Sequence, residues 1–235
     1  MNTNREIVSL TNVIKNYGHG EVITKALQGI DLKINQGDFS VIMGPSGCGK
    51  STMLNIIGGL DKTTSGEVKF DGKDFDSLTN KELSIIRRNQ IGFVFQNYNL
   101  LSVLTAYENA EYVLMLQEMP ISQRKEKVLH FFKEMGLNGL ENRLPRELSG
   151  GQQQRVAIAR AVVSNPLLVL ADEITANVDS ETAQSLLLLM EQLNKINKTT
   201  FLISTHDPEV IKFAKKLIVL KDGRIDKEEL SSENI

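Results

Sequence analysis

Eight residues, Gly44-Pro45-Ser46-Gly47-Cys48-Gly49-Lys50-Ser51, constrain this chain more than any other stretch. They read G-x-x-x-x-G-K-S, the pattern of a phosphate-binding loop. The flanks fit that reading. Phe39-Ser40-Val41-Ile42-Met43 is short, mostly apolar and β-prone, and Thr52-Met53-Leu54-Asn55-Ile56-Ile57 runs on without a breaker until Gly58. Strand, loop and helix in that order lift the motif above a chance match. Glycines let the backbone turn its N–H groups inward at anionic oxygens, and the helix points the positive end of its dipole at the same place. Lys50 supplies a charge for the β- and γ-phosphates, and Ser51 a hydroxyl for Mg²⁺. Gly44 through Thr52 are therefore candidate contacts of a nucleoside triphosphate.

At 235 residues the chain fits one large domain, or one domain with an inserted lobe, and can bury a core without staples. Lys and Arg number 27 against 29 Asp and Glu, a formal net charge of −2, which gives no electrostatic case for nucleic acid as a partner. The one cysteine, Cys48, makes no intrachain disulfide, and a thiol beside a phosphate site fits a reducing cytosol. Met1 to Glu6 has no apolar signal core, and no window approaches the ~20 apolar residues that span a bilayer. A soluble chain is expected.

Ile7 to Asn16 reads as an edge strand ending in a Tyr17-Gly18-His19-Gly20 turn, and Ile30 to Asn35 alternates as a half-buried strand does. Glu67 to Phe70 is another strand, closed by an Asp71-Gly72 hairpin turn. Together these form an antiparallel N-terminal β-lobe. Thr79 or Asn80 caps a helix through Arg88, and Ile91 to Phe95 is a strand ending on Gln96. From about 97 to 138 the chain turns helical: Thr105 to Gln117 and Ser122 to Met135, divided by Pro120, with Val128, Leu129, Phe132 and Met135 as one apolar stripe. Ser149 caps a helix from Gly150 to Ser164, and Ser180 caps one from Glu181 to Asn194. Leu167 to Ala171 is a continuous apolar strand, as in the middle of a parallel sheet. Further strands run from Thr199 to Ser204 and from Leu217 to Leu220, followed by a poorly ordered polar tail over 226–235. The reading is α/β: a mainly parallel core sheet, with the β-lobe and core over 1–96 and 139–225 and a helical insertion over 97–138.

Asp172 and Glu173 stand where the Leu167 to Ala171 strand ends, the edge of an open α/β sheet where ligands bind. Asp172 would reach Mg²⁺ through water. Glu173 would polarise the water that attacks the γ-phosphate. In Leu148-Ser149-Gly150-Gly151-Gln152 a helix opens on two glycines behind a serine cap, a second helix terminus suited to an anion. Each glycine lowers helix stability by roughly 1 kcal/mol, which a cap alone leaves unexplained.

Phosphate loop, Gln96 after a strand, Leu-Ser-Gly-Gly-Gln, Asp172-Glu173, Asp179 and His206, in that order, resemble the nucleotide-binding domain of an ABC transporter. The resemblance covers Ile7 to about Arg224 and implies a P-loop NTPase fold, ATP and Mg²⁺ as ligands, and head-to-tail pairing of two copies. Each ATP would then lie between one copy's loop and Ser149, Gly150, Gly151 and Gln152 of the other. It further implies that Tyr17 stacks on adenine and that Gln96 senses Mg²⁺ and the γ-phosphate. By the same resemblance His206 hydrogen-bonds the γ-phosphate and Glu173, and Asp179 lies on a loop crossing the dimer interface. Ile174 follows Glu173 where the family usually has proline, and Ala176-Asn177-Val178 also departs from the usual pattern. Ile174 restores an N–H and frees φ. Glu173 itself is present, so the resemblance implies an active ATPase.

Gly58-Gly59-Leu60-Asp61, Ile91 to Gln96, Asn99-Leu100-Leu101, Leu104 to Asn109 and Leu144 to Leu148 resemble the lipoprotein-releasing and macrolide-exporting branch, whose permeases are of the FtsX-like kind. That implies a separate integral membrane permease as partner and a peripheral place on the cytoplasmic face. Tyr98, Leu100, Leu101, Val103 and Leu104 would offer a groove for its helix. The alternative is a soluble ABC-type ATPase with a non-membrane partner, which typically carries a coiled-coil insert or tandem cassettes. A P-loop kinase or GTPase lacks the Leu148 to Gln152 signature.

Overall fold

A computed structural model of the chain describes residues 5–18 and 23–230. Its core is a sheet of β3 (Phe39–Met43), β6 (Ile91–Val94), β7 (Leu168–Asp172), β8 (Thr200–Thr205), β9 (Lys216–Lys221) and β10 (Arg224–Leu230), in the order β10-β9-β3-β8-β7-β6. All neighbours pair parallel except the β10 edge. Alternate residues of the same strands feed different cores, because successive side chains point to opposite faces. Val41, Val169, Ala171 and Ile203 pack toward the helical side. Ile42, Leu168, Leu170 and Leu202 pack toward α1 (Lys50–Ile57) and the second sheet. Burial on both faces accounts for the uninterrupted apolar runs.

That second sheet is antiparallel, in the order β2-β1-β4-β5, built from β1 (Glu6–Tyr17), β2 (Thr24–Asn35), β4 (Ser65–Phe70) and β5 (Lys73–Asp74). Asp71 and Gly72 both take positive φ, 49° and 75°, in the hairpin between β4 and β5. Of the turn expected after β1, Tyr17 and Gly18 are described, whereas His19 and Gly20 lie outside the described residues. The remaining helices are α2 (Asn80–Gln90), α3 (Ala106–Leu116), α4 (Ile121–Glu134), α5 (Gly150–Val162), α6 (Ser180–Asn197) and α7 (Pro208–Ile211). Thr79 with Glu82, and Thr105 with Glu108, form reciprocal capping boxes on α2 and α3.

Three expectations are corrected. The residues 226–230 are not a loose tail: β10 pairs antiparallel with β9 after a turn at Asp222 and Gly223, φ 49° and 74°. Its polar side chains are solvated on an edge, so it shows no hydropathy contrast, and Lys216 and Glu228 add an ion pair at 2.8 Å. Leu129 lies off the buried stripe at 38% exposure, and Phe131 takes its place with Val128, Phe132 and Met135. That set follows the i, i+3, i+4, i+7 rule of one helix face. Asp179, not Ser180, caps α6, its carboxylate accepting from the Thr182 amide at 2.9 Å.

Candidate nucleotide site

Gly49 opens α1 at φ 110°, with no side-chain hydrogen bond on the helix's first N–H groups. Helices α2, α3, α5 and α6 all have such a cap. The loop's glycines are demanded from below as well. A Cβ on Gly49 would lie 2.5 Å from the Ala26 carbonyl of β2, and one on Gly44 would overlap the Leu220 carbonyl of β9. Lys50 folds back over the loop, donating to the carbonyls of Gly44 at 2.8 Å and Pro45 at 3.1 Å. Cys48 departs from expectation. Its thiol is buried in the core beneath the loop, facing away from the phosphate side, and burial pushes it above the usual thiol range. Its amide donates to the Pro45 carbonyl and its carbonyl accepts from the Gly223 amide, so both backbone polar groups of Cys48 are partnered within the protein.

The carboxylates come from β7. Asp172 pairs in register with Ser204 of β8, whose hydroxyl donates to its carboxylate. Glu173, one residue beyond, sits at φ 48° with its amide donated to the Ser204 carbonyl at 3.1 Å. A positive φ at a non-glycine residue is a strained, over-determined conformation. Here the buried side chain of Ile174, 3% exposed, anchors the next residue in place of a proline ring. The Glu173 carboxylate is thereby held between two partners, Lys50 Nζ at 3.3 Å and His206 Nδ1 at 2.7 Å.

Glu173, Lys50 and His206 line one cleft of about 640 Å³, together with Tyr17, Pro45, Ser46, Gly47, Gly49, Ser51, Thr52 and Gln96. Thr24, Lys25 and Ala26 line it too, and the sequence reading missed them. Lys25 arrives by the pairing of Asn16 with Lys25 and Tyr17 with Thr24 across β1 and β2. That register is bulged at several points, so no sequence pattern reveals it. Of the expected site residues, Gly44, Cys48 and Asp172 lie just behind this lining, and the cleft does not bring in Ser149, Gly150, Gly151, Gln152 or Asp179. Ser149 and Gln152 cap each other at the exposed start of α5. Asp179 accepts from both the amide and hydroxyl of Thr182, which hold its carboxyl below the usual range. Gly150 and Gly151 have a reason inside this copy after all. Their Cβ atoms would lie 2.9 Å from the Tyr98 hydroxyl and 2.6 Å from Thr182 Cγ2.

Beyond Gln96 the apolar residues divide. Tyr98 and Leu100 pack on the core, and Val103 is 83% exposed. The groove that forms there, about 370 Å³, is lined instead by Phe93, Phe95, Asn99, Leu116 and Arg160. Arg160 donates to the Tyr98 and Asn99 carbonyls, fixing both in left-handed turns.

The site suits a nucleotide carried with a divalent cation. The uncapped α1 terminus offers free N–H groups beside the Lys50 ammonium, which fits a triphosphate. Among the described residues no cluster of three His, Cys, Asp or Glu would hold an ion unaided. A hydroxyl and one carboxylate beside phosphate oxygens are a normal Mg²⁺ donor set. Comparison with known proteins agrees. The profile of the family described as ABC transporter matches residues 27–176. An uncharacterized ABC transporter ATP-binding protein of Methanocaldococcus jannaschii, MJ0796, is 47% identical over 95% of this chain and 97% of its own length. The macrolide export ATP-binding/permease protein MacB of Syntrophobacter fumaroxidans is 42% identical over 95% of this chain, which spans 32% of that longer protein. A solved dimeric, post-hydrolysis structure of the MJ0796 cassette bound to ADP and Pi superposes with a TM-score of 0.89 at 46% identity, covering 95% of this chain and 98% of that one. Fold and site together define a P-loop ATPase cassette. The chain belongs to the ABC transporter family, as an ATP-binding, ATP-hydrolysing domain that works with Mg²⁺. No helix among the described residues is long and apolar enough to cross a membrane.

Proposed function

We propose that two copies of this chain close head to tail around two ATP, and that closure drives a separate membrane permease of the macrolide-exporter, FtsX-like kind. The observation that carries this reading is the meeting of Lys50, Glu173 and His206 at the mouth of an uncapped helix, while the α5 terminus stays exposed outside that cleft. An exposed N-terminus built for an anion but remote from its own cleft suits the partner's ATP. Dimeric cassettes among the similar structures support the pairing. The relatives MacB and a bacitracin export ATP-binding protein of Halalkalibacterium halodurans, 38% identical over 93% of this chain, support a transport role at a membrane.

Bound Mg²⁺–ATP supplies the γ-phosphoryl group and the charge that makes it transferable. Tyr17 offers its ring to the adenine, and the loop amides of Gly44 to Thr52 take the phosphates. Lys50 turns from the Gly44 and Pro45 carbonyls to phosphate oxygens. Ser51 and Asp172 would hold the cation, Asp172 through water, with Gln96 near it. Glu173 accepts the proton of the attacking water at its carboxylate, and His206 holds that carboxylate in line. Asp179 fixes the start of α6 at the contact between copies. The groove at Phe93, Phe95 and Arg160 suits a permease helix, since Arg160 ties its wall to the chain that follows Gln96.

Purification from detergent-solubilised membranes of the native cell tests the partner. A stoichiometric integral membrane subunit, retained through gel filtration, is the expected result. A soluble or nucleic-acid partner in its place would overturn the permease reading.

A further inference from the structure

The adenine platform is not free to swing. Tyr17 lies at the end of β1, 40% exposed on the cleft wall. Its hydroxyl donates to Asp61 Oδ2 at 2.7 Å. The other oxygen of Asp61 takes Lys15 Nζ at 2.7 Å. Nζ also donates to the Lys62 carbonyl at 2.7 Å and stands 4.7 Å from the centre of the Tyr17 ring. Lys15 is nearly buried, its side chain 12% exposed, so this is a fixed pair and not a loose surface contact. Asp61 is itself fixed to the phosphate helix, because its amide and that of Leu60 both donate to the Asn55 carbonyl in α1. Burial opposes the charge on Asp61, but the Lys15 and Tyr17 bonds outweigh it and hold the carboxyl below its usual range. Burial also raises Tyr17 above its usual range, so its hydroxyl keeps the proton it donates.

We infer that Asp61, braced by Lys15, is a positioning residue for the nucleotide base: it locks the Tyr17 ring at a fixed distance from the phosphate loop. The inference rests on Tyr17 being the base platform. A free tyrosine would lose side-chain entropy each time a base stacked on it. A ring already held by a short hydrogen bond to Asp61, a longer 3.5 Å contact from its hydroxyl to Thr52 and one cation contact does not. Because Asp61 closes the far end of the helix that opens at Lys50, one rigid body spaces base from phosphates. The clamp should favour ligands that carry a base and be indifferent to those that do not.

The test compares Mg²⁺–ATP with Mg²⁺–tripolyphosphate, which has the phosphates and no base, by competition binding and steady-state turnover. Partial loss of base stacking predicts that Asp61→Ala and Tyr17→Phe each weaken ATP about 3- to 10-fold, read also as a rise in KM, with the tripolyphosphate constant within twofold. The Asp61→Ala, Tyr17→Phe double variant should be no weaker than either single one, since both cut the same link. Tyr17→Phe leaves the fold's apolar contacts intact, so it remains readable if Asp61→Ala proves unstable. Equal losses for ATP and tripolyphosphate, no loss in Tyr17→Phe, or additive losses in the double variant would each overturn the clamp. Tyr17→Ala separates the two levels. If it leaves ATP binding unchanged, the platform reading itself fails. If it weakens ATP while Tyr17→Phe does not, the platform stands and the clamp falls.

Discussion

Glu173→Gln removes one charge and almost no volume, so its consequences can be worked from the resting site. The charge lies 3.3 Å from Lys50 Nζ and 2.7 Å from His206 Nδ1. The Lys50 and Glu173 side chains are 5% and 13% exposed, so water screens neither fully. Breaking a fully buried pair from one side destabilises by about 3–5 kcal/mol. Here Lys50 keeps the Gly44 and Pro45 carbonyls, and a glutamine oxygen still accepts a hydrogen bond, so the loss comes to about 1–2 kcal/mol. For a chain of this size that lowers the nucleotide-free Tm by about 2–8 °C. Saturating Mg²⁺–ATP should close the deficit, because phosphate oxygens replace the missing anion beside Lys50. Turnover should move the other way and fall by about 10²- to 10⁴-fold, the usual worth of a positioned general base. Thermal melting with and without ATP, run beside single-turnover hydrolysis, reads all three effects. An unchanged nucleotide-free Tm would refute the resting ion pair. A deficit that persists in ATP would refute the exchange of anions at Lys50. Near-normal turnover would refute Glu173 as proton acceptor.

Lys50→Ala should weaken ATP by roughly 10- to 100-fold, the worth of charge-assisted hydrogen bonds. Equilibrium binding of a fluorescent ATP analogue measures this, and unaltered affinity would sink the assignment of the loop. Alkylation of Cys48 by a small maleimide should be slow, and equally slow with and without Mg²⁺–ATP, since the thiol lies in the core beneath the loop. Rapid labelling that ATP blocks would place the thiol on the phosphate side instead. Gly151→Ala should destabilise by about 1–3 kcal/mol through overpacking, because the new Cβ would stand 2.6 Å from Thr182 Cγ2. Thr182→Ser deletes that methyl and keeps the hydroxyl bonded to Asp179, so the double variant should regain most of the loss in urea unfolding. No recovery would mean that Gly151 is required for another reason.

What the sequence determined by itself was local. Strand, loop and helix around Lys50, the helix starts at Thr79 or Asn80 and at Ser149, and the apolar run into Asp172-Glu173 each depend on residues a few positions apart. Their hydrogen bonds and periodicity are therefore written in the chain's own order. The order of motifs likewise carried the family and the ligand expected at each one.

Only the tertiary structure decided which way Cys48 faces, why Gly150 and Gly151 are glycines, and that Lys25 reaches the cleft. It also made 226–230 a strand, whose polar residues gain a backbone ladder that hydropathy does not record. Tyr17 and Asp61 are the clearest case. They lie 44 positions apart and meet only because β1 ends beside the turn that follows α1. Contacts of that kind are set by sheet register and helix length together, and neither is a property of any short stretch of sequence.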